Sequence, residues 1–159
     1  MIDVIEMINK IFEPLISRKV TSAELGYGSF ITIGFGKNVE FEITRRGKKE
    51  ILSMPEWYLW TYMCSWEIEV DGEPLICSDD ERSEIEESIK CLESRKLIGV
   101  EVLSDFYDMR LTFEGGIVLL LSSDNSDTDD IQWRLYTPDE KVLVAGPMKS
   151  ISYQNSSSV

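Results

Sequence analysis

The 159-residue chain contains no histidine, and its 29 acidic residues against 16 basic ones give a formal net charge of −13. The commonest general base near neutral pH is therefore missing, and nucleic acid and anionic membranes would be repelled by so negative a surface. A composition of 43% hydrophobic and 28% charged residues describes a globular chain that can bury a core without disulfide staples.

Cys64, Cys77 and Cys91 are an odd, widely spaced set with no Cys-x-x-Cys pair, so buried thiols in a reducing cytoplasm are expected rather than a disulfide framework. Acids at Asp3 and Glu6 interrupt the first apolar stretch, which is unlike a signal peptide. The expected organisation is one domain over residues 1–154 and a flexible polar tail over 155–159.

In chain order, Val4, Ile5, Ile8, Ile11, Phe12 and Leu15 recur at helical spacing and predict an amphipathic helix over 3–18, with Pro14 threatening its end. From Phe30 the period changes to two. A strand through Phe35 is expected to turn at Gly36-Lys37-Asn38 into a second strand in which Val39, Phe41 and Ile43 alternate with polar residues. Arg45, Arg46, Lys48 and Lys49 then form the chain's basic cluster. A solvated turn is expected there, with a phosphate or acidic-peptide site as the alternative.

Residues 57–70 carry Trp57, Tyr58, Trp60, Tyr62 and Trp66 and fit one bent strand or two short ones. Trp60 and Trp133 are expected in the core, while Trp57, at a strand start, is the candidate interface aromatic. Asp71-Gly72 signals a turn. Ser78 and Glu81 fit a capping box opening a helix over 79–94, with Ile85, Ile89 and Leu92 as its apolar stripe. Strands are expected at 98–104, 108–113, 117–122, 131–136, 141–145 and 149–153, with turns at Glu114-Gly115-Gly116 and Gly146-Pro147.

Two stretches resemble each other. FITIGFGKNVEFEI followed by LWTYMCSWEIEVDGEPLI matches MRLTFEGGIVLLLS followed by IQWRLYTPDEKVLVAG, with Trp60 set against Trp133. The expected fold class is α+β: mostly antiparallel sheet, as two similar β meanders, with an N-terminal and a central helix.

The runs GYGSFITIGFG at 26–36, EWYLWTYMCSWEIE at 56–69 and TPDEKVLVAGP at 137–147 resemble a family of small uncharacterised bacterial proteins. Small acidic proteins of that type look like immunity partners of bacterial toxins. The resemblance brings no catalytic residues with it.

The expected function is therefore a non-enzymatic module that binds a basic protein. Its candidate partner-binding residues are Asp79, Asp80, Glu84 and Glu87 on the central helix, Asp124, Asp127, Asp129 and Asp130 in the following acidic loop, and Trp57. The alternative is a small-ligand or carboxylate-dependent catalytic domain, for which Asp105 and Asp108 are the nearest paired acids. The 124–130 segment lacks the glycine and terminal glutamate of a calcium loop, so no metal, cofactor or catalytic residue is assigned. Monomer and homodimer both remain open.

Overall fold

The computed structural model describes residues 3–123 and 129–156. The elements fall into two successive sets. The first is α1 (Val4–Phe12), a 3₁₀ turn (Glu13–Leu15), β1 (Val20–Leu25), β2 (Ile31–Arg45), β3 (Lys48–Thr61), β4 (Ser65–Val70) and β5 (Glu73–Cys77). The second is α2 (Arg82–Ser88), a 3₁₀ turn (Ile89–Leu92), β6 (Leu97–Val102), β7 (Met109–Phe113), β8 (Ile117–Ser122), β9 (Trp133–Tyr136) and β10 (Lys141–Ala145), with β11 (Ile151–Asn155) appended.

These strands make two antiparallel sheets, ordered β1-β2-β3-β9-β10-β11 and β5-β4-β8-β7-β6. Each sheet takes the first three strands of one set and the next two of the other. The meanders expected from the sequence are therefore present, but they exchange hairpins rather than standing side by side.

The seam between the sets has approximate two-fold symmetry. Ser17 N–H donates to Leu97 O (2.7 Å) and Ser94 N–H to Val20 O (2.8 Å). Val20 N–H donates to Arg95 O (2.9 Å) and Leu97 N–H to Arg18 O (3.0 Å), on either side of an antiparallel bridge between Lys19 and Lys96. Such reciprocal pairing is what a two-fold axis produces. It is written locally as Leu-x-Ser-Arg-Lys at 15–19 and again at 92–96. Ser17 and Ser94 both take left-handed backbone conformations, at φ 78° and 69°.

The symmetry corrects one equivalence. Trp133 corresponds to Trp66, not to Trp60. The Trp66 Nε1–H donates to Ser29 O (2.7 Å) in the β1–β2 turn, and the Trp133 Nε1–H to Tyr107 O (2.9 Å) in the β6–β7 turn. Both indoles are buried, so each hydrogen bond supplies the partner that a buried N–H requires.

The inward faces obey the period of two. Ala23, Ile33, Leu59, Leu135 and Leu143 align across one sheet, and Val100, Leu111, Leu119, Ile68 and Ile76 across the other. Phe35 stacks on Phe113 between the sheets, with ring centroids 6.5 Å apart. The helices pack against the strands β1, β5 and β6. Through Phe12, α1 meets Trp133 edge-on at 5.8 Å.

Several boundaries differ from expectation. The α-helix begins at Asp3, whose Oδ1 accepts from Ile5 N–H (3.0 Å), and gives way to the 3₁₀ turn at Pro14, which has no N–H to continue it. The capping box does not form. Ser78 Oγ accepts from Trp66 N–H and Asp80 Oδ2 from Cys77 N–H, so both side chains are taken up in a turn and α2 starts later, at Arg82. At the other terminus, Asn155 pairs with Lys141 and Ser156 N–H donates to Glu140 O, so the chain is held past the expected start of the tail.

The largest correction concerns Gly36-Lys37-Asn38. No turn occurs there: β2 passes through a bulge between Phe35 and Asn38 and runs on to Arg45. The hairpin instead closes at Arg46-Gly47, both at positive φ. Cys64 is buried, and burial pushes its thiol up to about 12. We predict that a thiol reagent modifies Cys64 only after unfolding; modification in the native protein as fast as at half-buried Cys77 or Cys91 would contradict this.

Candidate functional site

The outward faces of the two sheets occupy equivalent places in the pseudo-two-fold, yet their chemistry differs. Across the β5-β4-β8-β7-β6 sheet, Glu101, Arg110, Leu120 and Glu67 form one row and Thr112, Val118 and Glu69 the next. This mixture of charged, hydroxyl and aliphatic side chains is an ordinary solvated face.

Across the other sheet, Thr32, Trp60, Arg134 and Val144 form one row, and Gly34, Tyr58, Tyr136 and Val142 the next. Tyr62 follows Trp60 on the same side of β3, its amide paired with Gln132 O. The face is therefore aromatic. Trp60 meets Tyr58 edge-on at 5.4 Å, stacks with Tyr62 at 6.0 Å and meets Tyr136 at 6.2 Å. Phe30 adds a tilted contact to Tyr62 at 5.8 Å. These five rings are half-buried, whereas Val142 and Val144 are fully covered.

Arg134 is the cation within this face. Its guanidinium lies 5.0 Å from the Tyr62 ring centroid, and Nη1 donates to Tyr136 Oη at 3.4 Å. Trp60 Nε1 and Arg134 Nε are buried and find no acceptor among the described residues. The Tyr62 phenol is pushed up to about 12, first by burial and then by the neighbouring Tyr136. It stays neutral at any ordinary pH.

Strand alternation explains why these rings face outward. On β3, Trp57, Leu59 and Thr61 point into the core and Tyr58 and Trp60 point away, with Tyr62 just past the strand continuing the outer side. Two expectations are thereby corrected. Trp57, the candidate interface residue, is only 7% exposed and pairs in register with Phe35. Trp60, expected in the core, lies half-buried at the centre of the outer face. Trp133 is in the core, as expected.

The acidic candidates fall in two places. Asp79, Asp80, Glu84 and Glu87 are exposed on and just before α2, which is tied to the β1–β2 turn where Arg82 Nη1 donates to Gly26 O (2.9 Å) and Gly28 O (2.5 Å). Asp129 is exposed and Asp130 half-buried. The main chain of Asp130 lies beside Gly146 at the end of β10, and both aspartates have partners. Asp124 and Asp127 lie outside the described residues. From β1 to β10 is four strand spacings, roughly 19 Å. Asp129 and Asp130 lie across the sheet from the acids of α2, on either side of the end that carries Phe30 and Tyr62.

Asp105 and Asp108 take separate partners. Asp105 pairs with Lys149 Nζ at 2.9 Å, which holds its carboxyl below the usual range, and Asp108 Oδ1 accepts from Ser123 N–H at 2.6 Å. A general acid needs a raised pKa, so Asp105 is shifted the wrong way for that role. At the root of the hairpin an open groove is lined by Arg18, Ser22, Lys37, Asn38 and Glu56, across which Arg18 and Glu56 already pair at 3.5 Å. Among the described residues, no group of three or more cysteines and carboxylates is placed to hold a metal ion, and no helix is long and apolar enough to cross a membrane.

Asp139 has a structural role with a pH signature. It accepts from Thr137 Oγ1 and, at 3.4 Å, from Tyr153 Oη, and these bonds, the one from Thr137 foremost, lower its pKa. A depressed folded-state pKa adds stability that is present above the unfolded value and lost as pH falls through the folded value. Asp139→Asn should therefore lower the unfolding temperature near about pH 7, with the difference shrinking as pH falls below the unfolded carboxylate value of about 4. A gap that persists in acid would show that the carboxylate charge is not responsible.

Compared with protein-family models, curated proteins and solved structures, the chain matches none. Its class is thus defined by its own architecture: a strand-exchanged, internally two-fold α+β sandwich with one aromatic outer face.

Proposed function

We propose that the protein is a non-enzymatic module that binds a basic protein partner, in the manner of an immunity protein against a toxin, and that it does so through the aromatic face. The observation that carries this reading is the contrast between equivalent faces. One is conventionally polar, while the other presents Tyr58, Trp60, Tyr62 and Tyr136 around a single arginine. Tryptophan, tyrosine and arginine are the residue types that dominate binding hot spots.

Charge supports the basic character of the partner. A net charge of −13 steers a cation toward the surface, the acids of α2 and of Asp129 and Asp130 flank one end of the face, and exposed ring surfaces accept lysine and arginine through cation–π contact. The test is affinity capture with immobilised wild type, Trp60→Ala and Leu120→Ala. Leu120 occupies the opposite outer face. The reading expects a basic protein retained by wild type and by Leu120→Ala and lost with Trp60→Ala. Equal retention by all three would place binding elsewhere.

A further inference from the structure

The second departure from two-fold symmetry is larger than the first. The β7–β8 hairpin has strands of five and six residues, but its counterpart β2–β3 has strands of 15 and 14. β1 pairs with β2 only as far as Phe35, and β9 with β3 only from Tyr58 onward. The pairs from Asn38–Pro55 to Arg45–Lys48 therefore form a two-stranded arm with no neighbouring strand on either side among the described residues. At about 3.4 Å per residue its eight rows extend roughly 27 Å.

A free two-stranded ribbon is marginally stable in water, and this one leaves apolar residues uncovered. Val39 is 47% exposed, and Ile43, Leu52 and Met54 on the same face of the ribbon are only partly covered, while Ile51, 72% exposed, lies on the other face beside Glu40, Glu42 and Lys49. Positive charge concentrates at the tip of the arm. Four of the five residues Arg45–Lys49 are basic, while Glu40, Glu42 and Glu50 nearer its base leave residues 38–55 with a net charge of +1 in a chain whose net charge is −13. The body that the arm leaves behind is thus more acidic than the whole.

We propose that the arm is a dimerisation element whose occupant is a second copy of this chain, each arm laying its apolar surface and basic tip on the acidic body of the other. Charge complementarity selects that occupant: the arm's tip at Arg45–Lys49 is positive and the chain's own body is strongly negative. A contact made twice about a two-fold axis closes as a dimer. It also overcomes the objection that two bodies of the same sign repel, because the one basic segment lies at each contact. The proposal is independent of the partner bound at the aromatic face.

Sedimentation equilibrium on the full chain tests it. Wild type is expected to be dimeric at micromolar concentration. Val39→Asp, and separately Arg45→Gln/Arg46→Gln/Lys48→Gln/Lys49→Gln, should each raise the dimer Kd at least about tenfold, while Leu75→Asp on exposed β5 should not. Amide exchange in wild type gives a second measurement that needs no variant: protection over 38–55 should rise with protein concentration. A monomer at about 100 µM, well above a micromolar Kd, a dimer indifferent to both arm variants, or arm protection independent of concentration would overturn the proposal.

Discussion

Trp133→Ala is expected to destabilise the protein by about 3–5 kcal/mol, measured as a shift in the urea midpoint. The ring is fully buried, meets Phe12 edge-on and donates to Tyr107 O. Truncation removes apolar burial, leaves a cavity between helix and sheet, and strands a carbonyl of the β6–β7 turn. Since small domains are stable by only about 5–15 kcal/mol, much of the margin would go. Trp133→Phe separates the contributions: most of the bulk stays, and the lost hydrogen bond should cost about 1–3 kcal/mol. The pseudo-two-fold adds a constraint. Trp66 makes the corresponding hydrogen bond to Ser29 O, so Trp66→Ala should fall in the same range. A cost below about 1 kcal/mol for Trp66→Ala, typical of surface positions, would mean that the two tryptophans are equivalent in topology but not in energetics.

Trp60→Ala should behave in the opposite way. Its indole is half-buried on an outer face and its Nε1–H has no acceptor among the described residues, so truncation should change stability much less than truncation of Trp133. Binding of the basic partner should weaken by about 2–4 kcal/mol, roughly 30-fold to several hundredfold, as for a central aromatic anchor. Isothermal titration of the captured partner against both variants gives the comparison. If Trp60→Ala binds like wild type, the aromatic face is a stabilising cluster and not an interface. If it unfolds as readily as Trp133→Ala, the ring belongs energetically to the core.

The α+β class, both helical regions, most second-set strands and the turns at Asp71-Gly72 and Glu114-Gly115-Gly116 were legible because they rest on local chemistry. Apolar periodicity, positive-φ glycines and a proline ending a helix need only near neighbours. The hairpin arm was half legible. The alternation of Val39 and Ile43 was visible, but Gly36-Lys37-Asn38 carries the same glycine and asparagine chemistry whether the chain turns or bulges. Pairing with β3 decides between them. The internal likeness was visible through the strands and misaligned at Trp60. The Leu-x-Ser-Arg-Lys run at both 15–19 and 92–96 was available as the sharper signal, and it marks the axis itself.

The candidate face was less legible. Five aromatics in residues 57–66 announce a surface or a core with equal force, and a strand's two sides differ by a shift of one residue. Tyr58, Trp60 and Tyr62 face outward because β3 is registered against β2 on one side and β9 on the other. Arg134 and Tyr136 join them from more than seventy residues away. What the sequence by itself determined is the inventory: a histidine-free, strongly acidic chain with one basic cluster, period-two strands and two helical regions. Only the tertiary structure decided which tryptophans are buried, which sheet face is aromatic, and that the basic cluster rides on a projecting arm. Those outcomes depend on hairpins exchanged between two halves of the chain, a pairing between distant residues that no local propensity encodes.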